Sequence, residues 1–95
     1  MKLKIATIAM SAVLAGPVFG CTEPDEPAAI PNGRTASKEQ MLATKKAIDK
    51  YKRDVENYLA CEADKQRVLN VQADLERVAN RFNLEVRAFK AVNGG

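Results

Sequence analysis

Two thiols are the side chains in this sequence best suited to chemistry. Cys21 and Cys61 lie 40 positions apart in a chain of 95 residues that contains no histidine. Two thiols can join as a disulfide, share a metal, or act singly as a nucleophile or acylation site. Without histidine, neither a Cys–His nor a Ser–His pair can be assembled. Two cysteines without a histidine also make a poor zinc site. Beyond residue 20 the serine inventory is Ser37 alone, which is better placed as a helix cap. The sequence has no glycine-rich phosphate loop. Acid pairs exist, Asp49 with Glu56 and Glu62 with Asp64, but acids on a helix surface are solvated and lack the burial that tunes a catalytic carboxyl. The sequence therefore predicts no enzyme, no cofactor and no metal.

What the thiols do depends on where the chain goes. Lys2 and Lys4 precede an apolar run from Ile5 to Ala15, followed by Gly16-Pro17 and the small Gly20. A basic start, an apolar middle and a small residue at the cleavage edge are the marks of a secretory signal over 1–20. The run is short of the ~20 apolar residues that a membrane span needs. Export leads to an oxidising compartment, where two cysteines pair. Such a bridge would stabilise by about 4 kcal/mol in the chain-entropy model, less any strain. The rival reading starts from Val18-Phe19-Gly20-Cys21, which partly matches a bacterial lipobox and would make Cys21 a lipidated N-terminus. Phe19 departs from the small residue usual at its position. The two readings exclude each other, since a thioether sulfur cannot also form a disulfide. The first puts the protein in the periplasm or outside the cell; the second anchors it to a membrane as an envelope lipoprotein.

The elements that must position these thiols come in two kinds. Residues 21–36 carry Pro24, Pro27 and Pro31. Each fixes its own φ and biases its predecessor toward extended backbone, so the segment is expected near polyproline II. Asn32-Gly33 marks a turn, because both residues tolerate positive φ. From Ser37 to Asn93 there is neither Gly nor Pro. Ser37 and Gln40 have capping-box spacing, and Glu39 suits the first turn.

An apolar stripe then runs through Met41, Thr44, Ile48, Tyr51, Val55 and Tyr58, with Leu59 beside it. A second runs through Val68, Val71, Leu75, Val78, Phe82, Val86 and Phe89. Steps of three and four keep each on one helix face. The stripes are out of register by roughly 80° around one continuous helix, so a break near Glu62 to Gln66 is expected, with Asp64 capping the second helix. The fold class is all-α: an antiparallel two-helix hairpin over 37–95, with helices about 37–61 and 65–92 and an extended Pro-rich N-terminal strap. The alternative is one long bent helix that hides its stripe by self-association. For the strap to reach from Ser37 back to Cys61 it must track a helix of ~36 Å, well within its ~50 Å extended limit.

Charge narrows the partners. The whole chain has 15 basic and 12 acidic residues; without Lys2 and Lys4 the count is 13 against 12, a net of +1. That balance gives no bulk attraction to nucleic acid or anionic lipid. Lys45, Lys46, Lys50, Lys52 and Arg53 form the one basic cluster, with Tyr51 inside it. It reads as a solvated face paired to Asp49, Asp54 and Glu56, or as a weak contact for an anion or partner. Tyr51 and Tyr58 are expected at the core edge and Phe82 and Phe89 in the core. Arg77, Arg81 and Arg87 are expected to pair with Glu76 and Glu85. The expected partner is another protein or envelope material, with a membrane involved only if Cys21 is lipidated. A monomer is favoured over self-association through the stripes.

A set of residues also has the look of a family. Cys21-x-x-Pro24-x-x-Pro27, then Ile30-Pro31-Asn32-Gly33-x-Thr35-Ala36-Ser37 and Met41, then Tyr51, Tyr58 and Cys61, and last Phe82-Asn83 and Arg87-Ala88-Phe89-Lys90 run along nearly the whole of 21–95. In these the chain resembles a group of short secreted proteobacterial proteins. The resemblance implies export and, through the cysteine near Tyr58, a preference for the bridge over the lipid. It assigns no activity, ligand or active site to any residue.

Overall fold

The computed structural model describes residues 21–94; the signal reading of 1–20 lies outside them. Two helices succeed one another, α1 (Lys38–Cys61) and α2 (Lys65–Asn93), and they pack together as a hairpin. No strand occurs among the described residues.

Local chemistry sets each helix end. The Ser37 hydroxyl accepts from the Gln40 N–H at 3.1 Å, and the Ser37 N–H donates to Gln40 Oε1 at 2.8 Å. Two amides that the helix cannot satisfy are thereby paired. At the other end the chain turns extended at Glu62, whose N–H closes on the Tyr58 carbonyl. Three residues later α2 begins. Asp64 Oδ1 accepts from the Arg67 N–H at 3.0 Å, and the Asp64 N–H donates to Glu62 Oε2 at 3.1 Å. Residues with fair helix propensity thus break the helix because their side chains satisfy the turn. Gly94 ends α2 in the left-handed conformation at φ 77°, where glycine carries no Cβ penalty.

The core is built mainly from α1. Val55 is fully buried, and Tyr51 and Tyr58 are each 3% exposed. With Ile48, Val71 and Val78 they form one cluster, against which Cys21, Ile30, Leu59, Leu75 and Phe82 pack. The tyrosines are core rather than core edge. Phe82 and Phe89 are only half-buried, as are Val68, Leu75 and Val86. α2 is thus less completely covered than α1, with Val71 and Val78 its buried residues.

The strap has its own periodicity. Cys21, Pro24, Pro27 and Ile30 are half-buried and Gly33 is buried, while the residues between them from Thr22 to Ala29 are exposed. Three residues per turn is the repeat of polyproline II, so one edge of the strap faces the hairpin throughout. From Cys21 to Gly33 that conformation spans about 37 Å. From Lys38 to Cys61 an α-helix spans about 35 Å. The lengths match, and the strap runs antiparallel to α1 along the hairpin.

Candidate functional site

The structure brings Cys21 and Cys61 together as a disulfide with a Cα–Cα distance of 5.7 Å, inside the range that such bridges adopt. No free cysteine remains among the described residues. In this state Cys21 offers no thiol for acylation. Capping and length set the geometry: Cys61 is the last residue of α1, and the strap in polyproline II conformation matches α1 in length.

Strap and α1 are held in register along their length. Glu23 lies near Tyr58, and Glu26 near Tyr51. Three strap residues, about 9.3 Å of polyproline II, therefore match seven helix residues, about 10.5 Å. Pro24 and Tyr58 line the same groove beside the bridge. Burial pushes both phenols above their ordinary pKa. The neighbouring carboxylates act in the same direction, Glu26 and Asp74 at Tyr51, Glu62 and Glu23 at Tyr58. Both hydroxyls therefore stay protonated at neutral pH.

α2 holds the other edge of the strap. Arg77 pairs with Glu26 at 2.6 Å and with Asp74 at 3.3 Å. At the strap's far end the Gly33 N–H donates to Glu85 Oε1 at 2.8 Å, and Arg81 Nε donates to Glu85 Oε2 at 3.0 Å. The Gly33 hydrogen bond is the main cause that holds the Glu85 carboxyl below its ordinary pKa; burial opposes it, and Arg81 adds to the lowering. Asn32 shapes the turn that delivers Gly33. Its carbonyl accepts from the N–H groups of Thr35 and Ala36, and its side chain accepts from the N–H of Arg34.

Three expectations need correction here. Gly33 does not have a positive φ; among the described residues that conformation belongs to Gly94. Glycine is needed at 33 because a Cβ there would collide with the backbone carbonyl of Glu85. Arg77 pairs with Glu26 and Asp74 instead of Glu76, because the strap brings Glu26 within reach. Arg87 has no ion pair among the described residues.

Two members of the basic cluster are paired along α1. Lys45 pairs with Asp49 at 3.0 Å and Lys50 with Asp54 at 2.8 Å. The Lys45 hydrogen bond holds the Asp49 carboxyl below its ordinary range. Lys46, Lys52 and Arg53 are exposed and form no ion pair among the described residues. At 100° per residue, Lys46, Lys50 and Arg53 face away from the core, whereas Lys45 and Lys52 lie toward the groove between the helices. Glu56 forms no ion pair among the described residues.

The strap-holding roles of Glu26, Gly33 and Glu85 are not evident from local sequence. One signal is available: Cys21, Pro24, Pro27, Ile30 and Gly33 recur every third residue, which is the inward edge of a polyproline II strand. Among the described residues no group of three or more His, Cys, Asp or Glu could hold a metal ion, and no helix is long and apolar enough to cross a membrane. The chain matches no family model, and neither a curated protein nor a solved structure matches it.

Proposed function

We propose that this chain is a small exported, non-enzymatic protein that acts by binding or as a structural component, in the periplasm or outside the cell. Its partner is another protein or envelope material. The observation that carries the reading is the Cys21–Cys61 bridge. A bridge of this kind persists in oxidising compartments, and a helical hairpin this small has little core to keep it folded there. The bridge also supports a soluble form over the lipoprotein, because it occupies the sulfur that acylation requires. The surface fits a binding role: the charged side chains are exposed or paired, and most of the titratable groups with altered pKa serve the strap.

Intact mass of the natively exported protein tests this reading. The expected species begins at Cys21, lacks two hydrogens, and resists thiol labelling until it is reduced. A diacylglyceryl adduct on Cys21 would replace the reading with the anchored lipoprotein. Two labelled thiols without lipid would remove the role assigned to the bridge.

A further inference from the structure

The two sides of the hairpin are unequally covered. On the strap side, Tyr51, Tyr58 and Val78 are buried. Along the other flank of the core, Val68, Leu75, Ala79, Phe82 and Val86 of α2 are only half-buried, although Leu75 and Phe82 touch the core along one edge. At 100° per residue these five lie within one quadrant of α2, so they form a continuous apolar strip. A groove between the helices on this side is lined by Lys52 from α1 and by Gln72, Leu75, Glu76 and Ala79 from α2. Its two walls carry opposite charge. Lys52 and Glu76 are both exposed and form no ion pair among the described residues.

We propose that this open side is a homodimer interface, occupied by the same side of a second copy. A twofold contact is self-complementary: what residue i meets in its partner, the partner's i meets in return. Setting α1 of one copy against α2 of the other places each Lys52 beside the other copy's Glu76, so both charges are matched twice over. Ala79 lets the backbones approach closely. Leu75, Phe82 and Val86 supply the apolar centre, and four helices enclose a core that two leave half open. The two straps lie on the outer faces and are not disturbed. A partner of uniform charge would satisfy one wall of the groove and oppose the other.

The test uses the bridged protein in light scattering from low micromolar to millimolar concentration. The expected mass is twice that of one chain, falling toward one chain on dilution. Lys52→Glu places acid against acid, and Glu76→Lys base against base. Each should weaken self-association about tenfold or more, while the double variant Lys52→Glu/Glu76→Lys restores it. Circular dichroism of each variant confirms that the helices persist, and Ala79→Trp gives a second, steric disruption that changes no charge. A single-chain mass across the whole range overturns the proposal. So does a dimer unaffected by all of these substitutions, or a double variant that remains as weak as the single ones.

Discussion

Gly33 is joined to Glu85 twice over: its N–H donates to the carboxylate at 2.8 Å, and its α-carbon lies so close to the backbone carbonyl of the same residue that a side chain would not fit. The two residues are 52 positions apart. This contact fixes the far end of the strap as the disulfide fixes the near end, and Ile30 and the prolines lie between the two fixed points.

Gly33→Ala should therefore destabilise the protein by about 1–3 kcal/mol, the cost typical of overpacking. The backbone φ is not the cause, because Gly33 is not in the left-handed region. The urea midpoint checks this. An unchanged midpoint would mean that the strap does not sit against α2 at this point.

The bridge should contribute more. Cys61→Ser is expected to lower stability by up to about 4 kcal/mol, the chain-entropy value for a loop of this length. Thermal melts with and without a dithiol reductant give an independent measure. The wild-type melt should drop on reduction and the variant's should not move.

Acid should weaken the strap through Glu85. Its folded-state pKa is below the ordinary 4.5. The stability it adds is thus fully present above the unfolded value, and it is lost as pH falls below 4.5 through the folded one. Glu85→Gln keeps an oxygen for the Gly33 N–H but cannot titrate. Chemical denaturation at stepped pH should show a shallower acid-side loss in Glu85→Gln than in wild type; parallel curves would refute the assignment.

Val55 is the one fully buried large side chain among the described residues. Val55→Ala should cost roughly 2 kcal/mol from lost transfer energy and the residual cavity. By contrast, Arg77→Ala should cost little, because its pairs with Glu26 and Asp74 are exposed and such pairs contribute little to stability. A reversed order in the denaturation midpoints would mean that the strap relies on charge more than the core relies on packing.

The fold is largely legible from local signals. Ser37 with Gln40, Asp64 before α2, and the register slip between the stripes are encoded within a few residues of where they act. The pairing of the two helices comes from their stripes. The relationships that local sequence hides are long-range. Gly33 looks like any turn glycine until α2 is placed beside it, and Arg77 has near neighbours that mask its partner Glu26. The half-exposure of Phe82 and Phe89 is hidden for a related reason: periodicity identifies an apolar face but does not say whether enough chain remains to cover it. The two thiols stand out in the sequence as the chemically telling pair, although sequence alone leaves acylation open beside pairing.

The bridge links the first described residue to the last residue of α1, so strap and α1 form a closed covalent ring, and α2 hangs outside it as a tail. Proteolysis should reveal this. A single cut anywhere in Thr22–Ala60 leaves one molecule on a non-reducing gel, while a cut between Cys61 and α2 releases α2 as a separate peptide. The ring can be nicked without falling apart, but α2 stays attached through one short turn and its packing alone.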